Sequence, residues 1–331
     1  MTIPVEAVGL VRRFGEIEAV AGVDLRVEPG EVFAFLGPNG AGKSTTVRML
    51  TTLLAPSAGT ARVAGFDVVT EAAQVRRSIG VALQDAAIDP LMTGRELLRL
   101  QAVLYGLPRA RAEARSAELL ERVGLTGAAG RRVGKYSGGM RRRLDLALSL
   151  LHEPEVLFLD EPTTGLDPSS RLNLWDELRR LNQEHGTTIF LTTQYLEEAD
   201  QLAARIAIID GGRIVREGEP SALKAAVGAP TLRLEVRDAQ EAAARAALVT
   251  FGPERPDRAG VIAIGLEGGA GEMATVVRAL DEAAVVIEHM ELNAPSLDDV
   301  FAEATGRRLE GAAEDSGDAE SGTDGANEPA P

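Results

Sequence analysis

The segment GPNGAGKST at residues 37–45 is the pattern best suited to chemistry, because it matches G-x-x-x-x-G-K-[ST]. Glycines there let backbone N–H groups converge on phosphate oxygens, and a helix starting at the same point adds partial positive charge. Lys43 is expected to bridge the β- and γ-phosphates and Ser44 to place its hydroxyl on Mg²⁺. The segment predicts a nucleotide-phosphate site made of Gly37, Pro38, Asn39, Gly40, Ala41, Gly42, Lys43, Ser44 and Thr45.

A pair of acids follows an apolar run farther along the chain. Residues 156–160 read VLFLD, so Asp160 ends a buried strand and Glu161 comes next. An acid in this place, beside a phosphate loop, is where Mg²⁺ is held, usually through water. Glu161 is then placed to orient and polarise an attacking water. The alternative is that the two acids merely cap the next helix.

The elements that must position these residues are predicted from apolar periodicity. Uninterrupted apolar runs at 32–37, 156–160, 187–193 and 205–210 predict strands buried on both faces, hence a mostly parallel sheet flanked by helices. Apolar residues at three- and four-residue spacing predict an inserted helical subdomain at about 85–151. The predicted fold is α/β, with the sheet domain over residues 1–222.

A smaller unit follows Pro230. Its pattern reads strand, helix, strand, helix, strand and a closing helix, which predicts an α+β module over 230–306. The last 21 residues are acidic and carry no large apolar side chain. Residues 307–331 are therefore predicted to form a disordered acidic tail.

Composition excludes several kinds of site. The chain has 331 residues, with 50 Asp+Glu against 35 Lys+Arg and no cysteine. The net charge of −15 disfavours nucleic-acid binding, and the lack of cysteine excludes disulfides, thiolate metal sites and cysteine nucleophiles. The start of the chain does not read as a signal peptide, and no window approaches about 20 apolar residues. We expect a soluble intracellular protein whose membrane role, if any, comes through a partner.

A further motif selects one class of phosphate-loop protein. The sequence resembles the ATP-binding cassette transporter subunits through five segments in their usual order: GPNGAGKST, Gln84, YSGGM (136–140), LDEPTTGLD (159–167) and TTQYLEEAD (192–200). The resemblance implies that Ser137, Gly138 and Gly139 bind the phosphates of an ATP held by the other subunit. It therefore implies a homodimer around two ATP, with Mg²⁺ as the metal cofactor. Tyr136 and Met140 depart from the usual Leu and Gln of this signature.

Four other residues take roles from the same resemblance. Gln84 would touch Mg²⁺ and water, the alternative being a solvent-facing strand end. Phe14 would stack on adenine, the alternative being an ordinary core phenylalanine. Asp167 would cap the next helix and also reach the opposing subunit. Gln194 stands where most of the family has a catalytic histidine, and glutamine keeps a neutral donor but cannot become cationic.

The resemblance extends to one branch of the family. Gln194, YSGGM and PSLDDVF (295–301) are similar to the daunorubicin-resistance ATPase subunits of two-component drug exporters. This implies a separately encoded transmembrane permease that binds a hydrophobic cargo, no nucleic acid, and a place on the cytoplasmic side of the cell membrane. The helical insert and residues 85–98 would dock the permease.

The alternative is a non-transport cassette ATPase acting on nucleic acid or ribosomes. Such proteins usually have a long coiled coil between the two phosphate motifs or two cassettes in one chain, and here Gly37 and Ser137 are only 100 residues apart. A phosphate-loop kinase would leave YSGGM unexplained.

Two patterns have structural interpretations. Leu172, Trp175, Leu178 and Leu181 form a helical stripe that predicts core packing. The run Arg141–Arg143 is predicted to lie on a solvated or intersubunit face, in preference to a nucleic-acid or lipid contact.

Overall fold

The structure is a computed structural model that describes residues 2–83 and 88–307. The strands of the described residues are β1 (Val5–Phe14), β2 (Ile17–Val27), β3 (Val32–Leu36), β4 (Ala58–Val63), β5 (Phe66–Asp67), β6 (Ile79–Ala82), β7 (Val156–Asp160), β8 (Thr188–Thr193), β9 (Arg205–Asp210), β10 (Arg213–Gly218), β11 (Thr231–Val236), β12 (Glu254–Arg255), β13 (Val261–Gly265) and β14 (Ile287–Asn293). The α-helices are α1 (Lys43–Leu50), α2 (Ala72–Ser78), α3 (Gly94–Leu104), α4 (Arg109–Arg122), α5 (Gly138–Ser149), α6 (Pro168–His185), α7 (Leu196–Leu202), α8 (Pro220–Val227), α9 (Glu241–Leu248), α10 (Met273–Glu282) and α11 (Leu297–Thr305).

A six-stranded sheet with the order β10-β9-β3-β8-β7-β6 forms the centre of the first 222 residues. Its neighbours from β9 to β6 pair in parallel, and only β10 runs antiparallel to β9. The predicted mostly parallel sheet is confirmed. Because parallel strands end at the same edge, the loops after β3, β7 and β8 lie side by side there.

Each central strand is buried on both faces, as its apolar run predicts. On β3, Ala34 and Leu36 contribute to one core cluster, while Phe33 and Phe35 contribute to the other. Phe190 lies with its ring centroid 5.4–5.8 Å from those of Phe33, Phe35 and Phe158. These rings fix the sheet beneath the loops that carry the chemistry.

A second, antiparallel sheet with the order β2-β1-β4-β5 covers one side of the central sheet. The sequence analysis does not predict this sheet. Its strands β1 and β2 alternate buried and exposed residues, so they lack the long apolar runs that mark the strands of the central sheet. The helical subdomain, built on α3, α4 and α5, shares the other core cluster.

The module after Pro230 forms its own antiparallel sheet, with the order β12-β13-β11-β14 and with α9 and α10 packed against it. Its core is aliphatic, with Leu232, Leu234, Ile262 and Ile264 buried. The short strand β12 was not predicted, because two residues carry no periodicity.

The closing helix α11 packs its apolar side chains on the cassette, and it also contacts β12 and accepts a hydrogen bond from the Thr231 hydroxyl of the small module through Asp299. Leu297, Val300 and Phe301 belong to the same core cluster as the central sheet, and α11 contacts α7, α8 and β10. A capping box between Ser296 and Asp299 fixes its first turn. The chain therefore leaves the cassette at Pro230 and returns to it through α11.

The predicted stripe on α6 is partly wrong. Trp175, Leu178 and Leu181 are buried, but Leu172 is 55% exposed and Leu174 occupies the core instead. Leu172 lies near the start of α6, and the buried face of the helix begins at Leu174.

In the part of the chain that the structure describes, none of the helices is long and apolar enough to cross a membrane. Residues 308–331 of the predicted tail and Gln84 lie outside the described residues.

Candidate functional site

The loop between β3 and α1 holds its shape through contacts that only glycine allows. A side chain at Gly37 would place its Cβ 2.3 Å from the Ile209 carbonyl oxygen, and one at Gly42 would lie 2.5 Å from that of Ala19. Gly42 also has φ of 105°, in the left-handed region that favours glycine. The backbone therefore curves tightly into the N-terminus of α1, as a phosphate cradle requires.

Lys43 is buried at the first position of α1, with only 4% exposure. Its Nζ donates to the carbonyl oxygens of Gly37 at 2.7 Å and Pro38 at 3.1 Å, and lies 3.2 Å from Glu161 Oε1. Burial lowers the pKa of Lys43, and the neighbouring carboxylates of Glu161 and Asp160 oppose that change. The ammonium thus joins the cradle to the predicted base.

Ser44 and Asp160 are brought together as predicted. The Ser44 hydroxyl donates to Asp160 Oδ1 at 3.0 Å, and the Thr192 hydroxyl donates to the same oxygen. A hydroxyl and a carboxylate are oxygen donors that suit Mg²⁺, which takes its remaining ligands from phosphates and water. Within residues 2–83 and 88–307, no cluster of three or more His, Asp or Glu side chains could hold a metal alone. The Ser44 and Asp160 oxygens fit an ion that also takes phosphate and water ligands.

Glu161 has a strained backbone. Its φ of 49° lies in the left-handed region, which costs a non-glycine residue about 1–3 kcal/mol. Its N–H donates to the carbonyl and hydroxyl oxygens of Thr192, each at 3.1 Å, and the Thr164 hydroxyl donates to Glu161 Oε2 at 3.3 Å. The side chain is 6% exposed and aimed at Lys43. Thr192 thus positions both acids of the predicted pair.

The signature residues begin α5. The Ser137 hydroxyl caps the helix by accepting from Met140 N at 3.2 Å, and Ser137 and Gly138 are exposed. A Cβ at Gly138 would meet nothing within 4 Å, whereas one at Gly139 would lie 2.8 Å from Ser170 Oγ. Tyr136 is buried, and its hydroxyl donates to the Ala128 carbonyl at 2.7 Å. The departure from the family at position 136 is therefore a core residue, and Ser137 and Gly138 lie exposed at the N-terminus of α5.

Asp167 and Phe14 both lie on the surface. Asp167 caps α6, accepting from Ser170 N at 3.1 Å and Ser169 Oγ at 3.2 Å, and hydrogen bonds from Ser170 lower its pKa. Phe14 is 47% exposed, with the Arg12 guanidinium 4.6 Å from its ring centroid. The core alternative for Phe14 is thus wrong, and its adenine contact stays a prediction.

Gln194 lies immediately beyond β8, half-buried at the edge shared with the cradle. Gly37 N donates to the Thr193 carbonyl at 3.2 Å, so the segment before Gln194 is bound to the phosphate loop. Gln194 also lines a cavity of about 360 Å³ whose other walls include Arg233 of β11 and Asp298 of α11. The predicted residue is therefore near both the cradle and the chain that follows Pro230.

Comparison with known proteins decides the family. The sequence model described as ABC transporter matches residues 20–164. The daunorubicin resistance ATP-binding protein DrrA3 of Streptomyces coeruleorubidus is 49% identical over 312 residues, which covers 92% of this chain and 97% of that protein. This chain belongs to the ABC transporter family. It is an ATPase of the ABC type, as the resemblance implied.

Other ABC proteins agree with this assignment. The doxorubicin resistance ATP-binding protein DrrA of Mycobacterium tuberculosis (strain ATCC 25618 / H37Rv) is 44% identical over 308 residues, covering 91% of this chain and 92% of that protein. A solved ATP-binding subunit of an ABC transporter matches with a TM-score of 0.63 and 28% identity, covering 69% of this chain and 94% of its own. The dimeric post-hydrolysis state of the cassette MJ0796, bound to ADP and Pi, matches with a TM-score of 0.60 and 26% identity, covering 65% and 98%.

Sequence reasoning missed three supporting residues of this ABC site. Thr192 is a fully buried residue of β8, and its place at the start of the TTQYLEEAD segment is the signal that could have found it. Glu198 is fully buried on α7 and accepts from Trp175 Nε1 at 3.1 Å; burial raises its pKa, and the Thr193, Trp175 and Thr163 side chains oppose that change.

Arg142 is the third missed residue, and for it the predicted solvated or intersubunit face is wrong. Its guanidinium is 12% exposed and donates to backbone carbonyls inside the cassette. The Arg143 guanidinium is likewise turned inward, donating to the Val123 carbonyl at 2.9 Å, whereas Arg141 is exposed as expected. The reason is that α5 packs on the sheet along one face, and that face includes positions 142 and 145.

Proposed function

We propose that two copies of this chain enclose two ATP molecules and drive a separate permease that exports a hydrophobic drug or natural product. The observation that carries the proposal is the buried cluster of Lys43, Glu161, Asp160 and Ser44 in a chain that also exposes Ser137 and Gly138 at a helix N-terminus. The cluster offers one half of a triphosphate site, and the exposed helix end offers the other half to a second copy.

Each residue has a defined task in the proposed reaction. The amides of residues 37–45 and the Lys43 ammonium bind the β- and γ-phosphates. Bound phosphates compete with Glu161 for that ammonium, which leaves the carboxylate able to accept a proton from the attacking water. Gln194 donates to the γ-phosphate as a neutral group, and Asp167 reaches the other copy.

The metal would be held by Ser44 and Asp160, with Gln84 as a further oxygen donor. Mg²⁺ held there would neutralise negative charge on the phosphates. Phe14 lies open on the cassette surface and would stack on the adenine.

The helical subdomain has an apolar surface suited to a membrane partner. Leu91, Val103 and Leu104 are 67–71% exposed, and Leu104 borders a groove that also contains Tyr105, Arg76 and Arg77. Val103 and Leu104 are consecutive, and neighbouring exposed apolar residues mark protein contacts. This supports the docking of a permease, which would hold the chain at the cytoplasmic face of the membrane. Relatives named for drug resistance over nearly their whole length favour transport over a nucleic-acid or ribosome function.

Mixing two inactive variants tests the shared site. K43A removes the cation of the cradle. G138D adds a carboxylate at the N-terminus of α5, where the side chain has open space and a negative charge is compatible with the helix. The added charge should repel the phosphates. Each variant alone should lose hydrolysis. A mixture of the two should recover it, because one site of each mixed dimer carries both intact halves. No recovery in mixtures shown to exchange subunits contradicts the shared site.

A substitution on the exposed apolar surface tests the permease. L104D should leave ATP hydrolysis by the isolated chain unchanged, because Leu104 is 71% exposed. It should abolish co-purification with the permease and the drug resistance of cells that express the pair. Retained co-purification would place the permease contact elsewhere.

A further inference from the structure

All three nitrogens of the Arg142 guanidinium donate hydrogen bonds to backbone carbonyl oxygens. Its Nη1 donates to the Leu83 carbonyl at 2.6 Å, its Nη2 to that of Asp160 at 2.8 Å and its Nε to that of Pro162 at 2.8 Å. The rigid planar fork of arginine can satisfy several separated acceptors at once, which a lysine ammonium cannot do. One side chain on α5 therefore joins the ends of β6 and β7.

Two of these carbonyls flank Glu161. The Asp160 carbonyl belongs to the peptide group that leads into Glu161, and the Pro162 carbonyl follows it. Thr192 holds the Glu161 N–H from the opposite side. Since Glu161 has a φ of 49°, its backbone keeps this conformation only where its surroundings fix it, and Arg142 and Thr192 are two of the residues that do so.

The charge of Arg142 is balanced within the same cluster. Asp145, on the same face of α5, lies 3.6 Å from Nη1. Asp145, Asp160, Glu198 and Glu161 favour the charged guanidinium, against the effect of burial. A buried cation with this many acceptors has a single favourable position.

We propose that Arg142 is a positioning residue for ATP hydrolysis, which fixes the backbone of Glu161 and links it to the helix that begins at Ser137. This rests on the proposed role of Glu161 toward the attacking water. Because the N-terminus of α5 meets the ATP of the other copy in that proposal, a shift of α5 in one copy is transmitted to the carboxylate of the same copy.

The test compares R142Q with R143Q in steady-state ATP hydrolysis and nucleotide titration. Arg143 is the matched control, since it is the next residue, is partly buried, and donates to one carbonyl at Val123. R142Q should lower kcat by about 10- to 100-fold, the scale expected for a misplaced catalytic group, with ATP affinity within about threefold of the parent chain. R143Q should keep kcat within about threefold.

Combination with E161Q separates this role from a merely structural one. If Arg142 acts through Glu161, the double variant R142Q/E161Q should hydrolyse ATP as slowly as E161Q alone and no slower. R142K should fail to restore kcat, although it keeps the charge, and it replaces R142Q in the comparison if R142Q does not fold.

Three outcomes overturn the proposal. The first is a kcat for R142Q equal to that of R143Q, and the second is a loss of affinity with kcat unchanged. The third is a multiplicative loss in the double variant. E161Q distinguishes the failure of this inference from failure of the proposed function. If E161Q hydrolyses ATP slowly while R142Q hydrolyses it at the parent rate, only the positioning role of Arg142 is rejected. If E161Q itself hydrolyses ATP at the parent rate, the proposed role of Glu161 is rejected, and the inference about Arg142 is rejected with it.

Discussion

The cassette and the module after Pro230 bury different kinds of residue. Among the described residues of the cassette, the buried charged groups include Lys43, Asp160, Glu161 and Glu198. The sheet and helices between residues 231 and 293 have an aliphatic core and bury Thr231 as a polar group, within the residues whose side chains are described. Both regions are folded around a sheet, so packing alone does not require the buried charges.

The difference concerns the free-energy cost of burying charged groups. Burying a charged group costs several kcal/mol unless it is paired and hydrogen-bonded. In the cassette each such group is held by a neighbour from another element, as Lys43 is by Glu161 and Asp160 by Thr192. In the module the Asp257 side chain is 5% exposed and pairs with Arg233 at 3.1 Å, beside a core that is aliphatic. The comparison predicts that substitutions in the two regions fail in different ways.

The largest effect is expected for Lys43→Ala. This change removes the cation that faces the cradle and leaves Glu161 buried without it, so nucleotide binding should be abolished. Titration with ATP in the presence of Mg²⁺ measures the loss, and circular dichroism checks that the fold is kept. Lys224→Ala is the matched control, because that lysine lies on α8 in a surface ion pair with Asp200. ATP affinity equal to that of the parent chain would reject the cradle assignment.

The next effect is expected for Glu161→Gln. The amide keeps the size of the side chain but cannot accept a proton, so hydrolysis should fall by about 100- to 1,000-fold while ATP binding is retained. Single-turnover hydrolysis measures the chemical step. Glu153→Gln is a control, since Glu153 also has positive φ but lies in an exposed ion pair with Arg111. Undiminished turnover would move the base to another residue.

Much of this fold follows from local sequence signals. The runs that gave β3, β7, β8 and β9 are apolar because parallel strands are buried on both faces, and their ends agree with the structure within a residue. The antiparallel sheet and the destination of α11 depend on contacts between distant parts of the chain. Nothing in PSLDDVF states that Phe301 packs with the cassette rather than with β11.

The site divides in the same way. The residues within GPNGAGKST are consecutive in sequence, and so are Asp160 and Glu161. Each motif could therefore be predicted from the residue types and their spacing. Thr192, Glu198 and Arg142 reach the site from other elements, and their residue types are common on surfaces. For Arg142 and Glu198, only the packing of α5 and α7 on the sheet reveals that they face inward.

A third prediction compares the two cores directly through Leu234→Ala and Leu191→Ala. Both leucines are fully buried in central strands, β11 and β8, so each substitution should cost about 2–5 kcal/mol. Leu234→Ala should lower the unfolding temperature of the module and leave ATP hydrolysis at 25 °C unchanged. Leu191→Ala should lower the unfolding temperature of the cassette and its rate of ATP hydrolysis. Equal losses of activity in the two folded variants would mean that the module takes part in turnover.

The smallest effect is expected for Asp145→Asn and concerns pH. Burial raises the pKa of Asp145 to about 6 from the ordinary 3.8, and Arg142 only partly opposes this. Below pH 3.8 the carboxyl is protonated in both the folded and unfolded chains, so it has no effect. Between pH 3.8 and about 6 the carboxyl ionises in the unfolded chain before it does so in the folded chain, so the free energy of unfolding falls as pH rises. Above about pH 6 the decrease in the free energy of unfolding is constant, at about 3 kcal/mol at most.

The Asp145→Asn variant lacks this titration, so its free energy of unfolding relative to the parent chain should increase from pH 4 to pH 7. Urea unfolding at several pH values measures the difference. Asp176→Asn removes an exposed carboxylate from α6 and should show no such trend. Parallel curves for Asp145→Asn and the parent chain would mean that Asp145 is ionised at little cost. Hydrolysis should persist in Asp145→Asn, because Arg142 keeps the carbonyls on both sides of Glu161, and this would separate the energetic cost of a buried charge from its use in positioning.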